Sequence, residues 1–257
     1  MEGKAQPRVV VVMPAYNAAR TLSRTYHDIP HHRVDKIILV DDGSTDETVE
    51  IAKALNLSVY VHRRNFGYGA NQKTCYRQAL AEGAEIVVML HPDYQYDPTL
   101  IPELIEPIAN GEADVVLGSR LLVDDALRRG MPWWKYVANR FLTRLENRVL
   151  GLNLSEYHTG YRAYSSDFLR LVPFQENSDK FIFDQEIIVE AVHNGFRIHE
   201  VAVPARYFPE ASSASLWDSI VYGCRIMLLM GRYLLHRAGI LRHRHLEIYE
   251  SRYVKVV

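Results

Sequence analysis

The sequence predicts an α/β protein built on a doubly wound, mostly parallel sheet with helices on both faces. Two observations carry this prediction. Short apolar runs, rich in valine and isoleucine, alternate with helical patterns through the first 120 residues. The connections between them are short, and strand–helix alternation of this kind is typical of parallel sheets.

The elements of the first half follow in a regular order. Strands are predicted at 9–13, 36–40, 57–61, 86–90 and 114–117, each a run of apolar and β-branched residues. Helices are predicted at 18–27, 45–55, from about 70 to 80, and at 99–108.

The rhythm changes after Arg120. Five apolar residues recur at helical spacing and predict an amphipathic helix at 133–150 with a basic outer face: Trp134, Val137, Phe141, Leu145 and Val149. Further strands are predicted at 156–164 and 197–207, with a helix at 184–194 closed by Gly195. We expect one domain over 1–210, with halves at 8–120 and 121–210. The amphipathic helix and basic tail in 211–257 belong to the same domain.

Composition excludes several classes of protein. The 257 residues carry 30 basic and 31 acidic side chains, so no overall field favours nucleic acid as a partner. The two cysteines have neither metal-site spacing nor the number of a disulfide framework, which favours a reducing cytoplasm. The N-terminus does not resemble a signal peptide, and no apolar run is long enough to span a bilayer.

Polar side chains follow the fourth predicted strand. His91, Asp93 and Gln95 alternate, so in an extended chain they point to one side. An imidazole, a carboxylate and an amide oxygen can hold a divalent cation, Mn²⁺ or Mg²⁺. The alternative is a polar loop in which Asp97 and Pro98 begin the next helix.

Three other loops close predicted strands at the same edge, where open α/β sheets bind their ligands. Tyr16 offers a ring to stack on a base, Asp41 and Asp42 offer acceptors for a base or ribose, and Arg120 offers a guanidinium for phosphate. The candidate nucleotide-binding residues are Pro14, Ala15, Tyr16, Asn17, Val40, Asp41, Asp42, Gly43 and Ser44.

The motifs Pro-Ala-Tyr-Asn (14–17), Val-Asp-Asp-Gly-Ser-Thr-Asp (40–46) and the Asp-x-Gln step at Asp93 resemble family 2 glycosyltransferases of the GT-A fold, in particular the dolichyl- and polyprenyl-phosphate sugar synthases. The resemblance covers roughly residues 8 to 210. It implies an inverting transferase that uses a nucleotide-sugar and Mg²⁺ or Mn²⁺. It also implies that Pro14, Tyr16 and Asp42 hold the nucleotide, while Asp93 and Gln95 serve the metal and diphosphate.

Two positions depart from the family pattern. His91 stands where the metal motif Asp-x-Asp normally has its first aspartate, and Ala18 stands where the synthases carry a glutamate. A neutral imidazole makes the metal site less negative and favours Mn²⁺ over Mg²⁺, unless His91 stands off the metal.

The second half resembles the acceptor side of the synthases. The segment 156–164 is similar to their Asp-x-Thr-Ser-Gly-Phe-Arg motif, with His158 and Thr159 in place of Thr-Ser. The candidate acceptor-binding residues are Arg120, Lys135, His158, Thr159, Arg162 and Arg206. The alternative for each arginine is a solvated surface charge, and Arg162, flanked by tyrosines in a predicted strand, is the one that best fits a structural role.

Asp184 and Glu186 open a predicted helix, where carboxylates favour the positive end of the dipole. Either could instead be the base that deprotonates a hydroxyl acceptor. A lipid phosphate is already anionic and needs no base. The sequence therefore leaves the acceptor open.

The C-terminal segment has apolar residues at helical spacing from Trp217 to Leu235, interrupted by charges. It can pack on the domain, form a dimer contact, or lie in a bilayer interface.

The catalytic candidates are therefore Asp93, Asp184, Glu186 and Arg120. The predicted function is transfer of a sugar from a UDP- or GDP-linked donor to a polyprenyl phosphate, in the cytoplasm or at the inner face of the membrane. Transfer to a hydroxyl, in surface polysaccharide or glycolipid synthesis, and a catalytically silent nucleotide-binding scaffold are the rivals.

Overall fold

The computed structural model describes residues 6–123, 126–204, 216–243 and 246–248. Seven strands form a single sheet in the order β3-β2-β1-β4-β6-β5-β7. Their bounds are β1 Val9–Ala15, β2 Lys36–Asp41, β3 Ser58–Val61, β4 Ile86–Met89, β5 Val115–Ser119, β6 Arg162–Ser165 and β7 Ile198–Ala202. All neighbouring pairs are parallel except those of β6, which runs antiparallel to β4 and β5. The mostly parallel sheet is confirmed.

Helices cover both faces of the sheet, as predicted. Their bounds are α1 Leu22–His27, α2 Thr48–Ala54, α3 Tyr68–Ala81, α4 Ile101–Ala109, α5 Trp133–Leu150, α6 Ser166–Leu171, α7 Phe183–His193 and α8 Leu216–Arg237. Short 3₁₀ turns lie at His31–Arg33, Pro98–Leu100 and Phe174–Glu176.

Strand β1 shows why the sheet is buried on both sides. Every residue of β1 is buried, and successive side chains point to opposite faces. Val10 and Val12 join a core formed with α3, α6, α7 and α8, whereas Val11 and Met13 join a core formed with α1, α2 and α4. A continuous apolar run is therefore what this strand requires.

The second half differs from the sequence prediction in its strands. The segment predicted as a strand at 156–164 is strand only from Arg162, because the residues before it form a loop whose side chains bond to α5 and to the loop after β5. Helix α6 was not predicted. Strand β7 ends at Ala202, and the predicted extension to 207 passes into residues outside the described part of the chain.

Helix α5 has the predicted bounds, but the orientation predicted for it was wrong. The residues it buries include polar ones, Asn139, Thr143 and Glu146, while Val137 and Phe141 of the expected core stripe are more than half exposed. The inward polar side chains bond to the loop before β6, and those contacts set the helix orientation.

Helix α8 confirms the predicted C-terminal helix. Within the described residues, no helix combines the length and the apolar character needed to cross a membrane.

Candidate active site

A cleft of about 630 Å³ opens at the carboxyl ends of β1, β2 and β4. This is the edge at which a doubly wound sheet binds ligands. Most of the predicted nucleotide and metal residues line it: Pro14, Ala15, Tyr16, Asn17, Asp42, His91, Asp93 and Gln95. The structure therefore brings these predicted residues together at one cleft.

Asp42 organises one wall of the cleft. Its carboxylate accepts hydrogen bonds from the backbone N–H groups of Phe66 and Gly67, both at 2.9 Å, and lies 2.7 Å from Nδ1 of His62. The carboxylate thereby fixes the loop between β3 and α3 against the end of β2. Substitution of Asp42 would loosen that loop as well as remove an acceptor for ligand.

Asp41 has a different role from its neighbour. It is buried, and its Oδ2 accepts from the backbone N–H groups of Gly43 and Ser44, both at 3.0 Å. Gly43 has φ of +78°, a conformation that favours glycine. Asp41, Gly43 and Ser44, together with the buried Val40, do not line the cleft. Asp41, Gly43 and Ser44 shape the turn that presents Asp42, and contact of these four residues with nucleotide stays a prediction.

The first loop is tied to this turn. The backbone N–H of Asn17 donates to Ser44 Oγ at 2.8 Å, and Asn17 Oδ1 accepts from the N–H of Thr45 at 2.8 Å. Tyr16 is left 54% exposed at the cleft. Its ring is therefore available for stacking on a flat ligand.

The metal candidates lie in a turn rather than an extended segment. Tyr94 has φ of +61°, and Asp93 Oδ1 accepts from the backbone N–H of Gln95 at 3.1 Å. The expected alternation of an extended chain is therefore wrong. His91, Asp93 and Gln95 nevertheless all line the cleft, because the turn bends around it.

The donor set fits a divalent cation that also binds a ligand's phosphates. Burial raises the pKa of Asp93, partly offset by His91, so a cation beside this carboxylate would relieve a desolvated charge. No group of three or more His, Cys, Asp or Glu side chains that could hold a metal occurs among the described residues. His91, Asp93 and Gln95 could therefore hold the ion only with a ligand completing its coordination.

Tyr68 connects His91 to Asp184. Its hydroxyl donates to Asp184 Oδ2 at 2.7 Å and lies 3.2 Å from Nε2 of His91. The rings of Tyr68 and His91 are stacked, with their centroids 5.5 Å apart. A hydroxyl has one hydrogen, so its oxygen accepts from Nε2–H of His91. Burial lowers the pKa of His91 and keeps the ring neutral. The Nδ1 lone pair is then the one that could bind a metal.

Asp184 reaches the cleft only through Tyr68. Its Oδ1 accepts from Gln72 Nε2 at 3.0 Å, and Arg162 lies 3.7 Å from its Oδ2. Glu186 instead accepts from the backbone N–H of Ser178 at 2.7 Å and lines a separate small cavity. The prediction of Glu186 as a base in this cleft is therefore corrected.

Arg120 is engaged with a buried carboxylate. Its Nε lies 3.0 Å from Glu156 Oε1, its backbone N–H donates to Oε2 at 2.8 Å, and its guanidinium also donates to the His158 carbonyl. Burial alone would raise the pKa of Glu156, but Arg120 outweighs burial and lowers it. The charge expected to meet an acceptor phosphate is thus already balanced, and Arg120 does not line the cleft.

Arg162 and Thr159 are structural residues. Arg162 is 0% exposed and donates to the carbonyls of Thr159, Asp184 and Tyr157 at 2.7 to 3.0 Å. Thr159 is 1% exposed and donates to the Gly118 carbonyl at 2.6 Å. Their predicted contact with an acceptor is corrected, because neither side chain has surface to offer one.

His158 is the acceptor candidate that lines the cleft. Its Nδ1 lies 3.1 Å from Asn139 Oδ1, and its Nε2 lies 2.9 Å from Glu146 Oε2. Lys135 is half-buried on α5, and burial together with Arg120 lowers its pKa. Arg206 lies outside the described residues.

The sequence missed several residues of the cleft. They are Tyr68, Asn71, Tyr96, Gly160, Lys180 and Phe181, among others. Among the described residues that line the cleft, Lys180 is the one lysine or arginine, and its ammonium group brings a positive charge to the cleft. Gly160 lies against His91, since a Cβ built on it would approach Nε2 to 2.8 Å. The Gly-Tyr-Gly run at 67–69 was a visible signal, because glycines beside an aromatic ring mark close approach.

Comparison with known proteins identifies the family. The model of the family described as "Glycosyl transferase family 2" matches residues 10–172, more than half of the chain. The chain belongs to glycosyl transferase family 2. The matched segment contains β2, β4 and all of β1 after Val9, with the residues from these strands that line the cleft.

Several curated relatives of this family 2 glycosyltransferase resemble it along most of their length. A UDP-N-acetylglucosamine–dolichyl-phosphate N-acetylglucosaminyltransferase of Methanococcus voltae is 27% identical over 90% of this chain and 99% of its own. An undecaprenyl-phosphate mannosyltransferase of Micrococcus luteus is 30% identical over 76% of this chain and 82% of its own.

A solved structure has the same fold. Glucosyl-3-phosphoglycerate synthase from Mycobacterium tuberculosis, in complex with Mn²⁺, UDP-glucose and phosphoglyceric acid, superposes with a TM-score of 0.67. It is 22% identical and covers 93% of this chain and 82% of its own. The GT-A-like fold predicted from the sequence is confirmed.

Proposed function

We propose that this glycosyltransferase moves a sugar from a UDP- or GDP-linked donor to a polyprenyl phosphate, with inversion at the anomeric carbon. The observation that carries the donor side is the wall made by Tyr16 and Asp42 at the end of β1 and β2. A ring that can stack and a carboxylate held beside it are suited to a nucleoside.

The acceptor is proposed from the relatives. Those named above act, by their names, on dolichyl phosphate and undecaprenyl phosphate. In the reaction, an acceptor phosphate oxygen bonds to the anomeric carbon while the bond from that carbon to the diphosphate breaks. The nucleoside diphosphate leaves, and no proton has to move because the acceptor oxygen is already anionic.

The residues of the chain have distinct roles in this proposal. Asp42 and Tyr16 orient the nucleoside, and Lys180, whose Nζ lies beside Gly67, neutralises phosphate charge. His91 Nδ1, Asp93 and Gln95 would hold Mn²⁺ or Mg²⁺. The ion, when bound, would supply positive charge to the leaving diphosphate. We also propose a cytoplasmic enzyme associated peripherally with the inner face of the membrane.

Calorimetric titration tests the donor site. UDP and GDP are each titrated with Mn²⁺, Mg²⁺ or chelator into the native protein, Asp93→Ala and the control Asp114→Asn, a carboxylate at the opposite end of β5. We expect one nucleotide to bind in a metal-dependent way that Asp93→Ala abolishes and Asp114→Asn preserves. Absence of binding to either nucleotide would contradict the proposal.

A hydroxyl acceptor is the second candidate, and the Asp184–Tyr68 hydrogen bond favours it. Asp184 can take a proton from Tyr68, which itself lines the cleft and can take one from an acceptor. Turnover of Asp184→Asn separates the two. A phosphate acceptor requires no base, so its transfer should persist at a reduced rate, whereas transfer to a hydroxyl should be lost.

A further inference from the structure

Helix α5 turns its apolar side chains away from the protein. Trp133, Val137 and Phe141 follow one another at helical spacing and are 72%, 56% and 60% exposed. The opposite side of the helix buries Asn139 and Glu146. A helix of a soluble protein normally does the reverse, so the outer face of α5 lacks the apolar contact that its composition calls for.

Helix α8 has the same character. Trp217 is 71% exposed, and Ile220 and Leu228 are about half exposed along the same side. Further along, Met227, Leu234 and Leu235 line a shallow apolar groove. The exposed apolar side chains therefore extend from the first turn of α8 to its last.

The two outward faces adjoin. The helices pack against each other where a Cβ built on Gly223 would lie 3.7 Å from Leu142 Cδ1. Phe141 is next to Leu142 on α5, and Ile220 lies one turn before Gly223 on α8. Exposed apolar side chains thus flank the contact on both helices.

Positive charge borders these apolar faces. Arg144 and Arg148 are exposed on α5, and Arg225 and Arg232 are exposed on α8. The acidic side chain of α5, Glu146, is buried. Apolar residues with exposed tryptophans and a rim of arginines are what an interfacial helix presents to a bilayer with anionic headgroups.

We propose that the outward faces of α5 and α8 together form one surface that binds an anionic phospholipid bilayer. The inference builds on the proposed lipid acceptor. A second copy of the chain is a poorer occupant, because a two-fold contact through this surface would bring the arginine rims of both copies together. Anionic lipid complements that rim.

The inner sides of both helices reach the acceptor end of the cleft. Asn139 of α5 bonds to His158, and the ring of Tyr222 of α8 lies 5.9 Å from the His158 ring. His158 lines the cleft. A helix is about 10 Å thick, so bilayer contact on the outer sides would bring lipid headgroups within about one helix diameter of the cleft.

The tryptophans provide a direct test. The chain has three, at positions 133, 134 and 217, and all lie on these two helices. Vesicles of equal parts phosphatidylcholine and phosphatidylglycerol should shift the emission to shorter wavelength, and brominated lipid should quench it in both Trp133→Phe and Trp217→Phe. Quenching that disappears entirely in Trp217→Phe would show that α8 binds alone and would overturn the joint surface.

Substitutions measure each contribution by vesicle sedimentation. Phe141→Ser should weaken partitioning about tenfold, as expected for a large apolar side chain that enters the interface. Arg225→Gln should weaken it about fivefold, since one basic residue near an anionic surface contributes about 1 kcal/mol. Leu171→Ser and Arg170→Gln, exposed on α6, are the matched controls and should change nothing.

The remaining outcomes are decisive. Absence of partitioning, or partitioning unaffected by Phe141→Ser and Arg225→Gln, would overturn the inference. So would a dimer in sedimentation velocity that Phe141→Ser dissociates. Metal-dependent nucleotide binding is measured without vesicles, so its retention in those cases would leave the proposed function standing.

Discussion

The two halves of the molecule use buried charge differently. Around β1 and β2, Asp41 and Asp42 accept hydrogen bonds from backbone N–H groups of nearby loops. Around β6, Glu156 and Arg162 pair with other charged side chains or with carbonyls from distant elements. The carboxylates of the first half shape loops that face the cleft. The buried charges of the second half, Glu156 and Arg162, instead link separate elements of the fold to one another.

The hydrogen-bond partners of a polar side chain decide whether a ligand can use it. A carboxylate bonded to backbone N–H groups at the end of a strand keeps lone pairs directed at the cleft, as Asp42 does. An arginine bonded to a buried glutamate has its charge compensated before any ligand arrives, as Arg120 does. Substitutions in both halves of the molecule can test this contrast.

Arg162→Met should be the most destabilising change. It leaves Asp184 without a buried cation and three carbonyls without a donor. Removing one partner of a buried pair costs about 3–5 kcal/mol. For a chain of this size that lowers the thermal midpoint by roughly 10 °C, measurable by calorimetry.

The matched control is Arg197→Met. Arg197 also pairs with an aspartate, Asp114, at 3.0 Å, but its side chain is 55% exposed. Because solvent screens an exposed pair, Arg197→Met should lower the thermal midpoint far less than Arg162→Met. Equal effects of the two substitutions, or a loss of acceptor affinity without loss of stability in Arg162→Met, would remove the proposed distinction.

Asp42→Asn should act mainly on nucleotide binding. The amide retains one oxygen, but its NH₂ group faces backbone N–H donors at Phe66 or Gly67. Losing one charge-assisted bond costs the folded loop about 2 kcal/mol. Because Gly67 of that loop lines the cleft, we expect nucleotide affinity to fall by up to roughly 30-fold, the factor that corresponds to this energy. Calorimetric titration checks this, with Asp114→Asn as the control.

Sequence reasoning succeeded where the chemistry is local. The apolar runs of β1 and β2 end in polar turns, so both the strands and the cleft residues Tyr16 and Asp42 follow from neighbouring positions. It failed at α5, because Asn139 and Glu146 are buried by partners in the loop before β6. Hydrophobic periodicity contains no information about such partners, so it assigned the wrong face to the core.

The same limit explains the acceptor residues. Arg120 and Arg162 are close to the cleft in the chain's fold, but only the structure shows Glu156 and Asp184 beside them. Lys180 was missed because it lies in an irregular loop, where neither hydrophobic periodicity nor a motif marks it. Tertiary contacts between distant loops decided each of these cases.

Lys180→Gln should reduce activity without affecting stability. Lys180 is exposed at the cleft wall, beside Phe181. If it meets phosphate, neutralising it should lower kcat/KM about tenfold, an effect of about 1.4 kcal/mol, and Lys180→Arg should restore most of the activity. Steady-state kinetics with varied donor and acceptor show which phosphate is involved. Unchanged kinetics in Lys180→Gln would exclude the contact.

Glu190→Gln should produce a pH-dependent stabilisation, with no effect on activity. Burial raises the pKa of Glu190 well above its ordinary value of 4.5, and repulsion from Glu186 and Glu176 adds to this. Above pH 4.5 the unfolded chain ionises this group freely while the folded protein resists ionisation. The native protein therefore loses stability as the pH rises towards the folded pKa. Glutamine removes that loss, so the thermal midpoint of the variant should exceed the native one by a margin that grows with pH above 4.5.

Asp114→Asn should change the pH dependence of stability in the opposite direction to Glu190→Gln. The hydrogen bond from Arg197 lowers the pKa of Asp114 below 3.8, so this group stabilises the fold above pH 3.8 and ceases to do so as the pH falls through the folded pKa. Its variant should be less stable than the native protein at neutral pH and approach it in acid.

Because Glu190 lies in the second half of the chain, behind the cleft, its substitution should also leave nucleotide binding unchanged. A loss of binding in Glu190→Gln would mean that the charges behind the cleft act on the ligand after all.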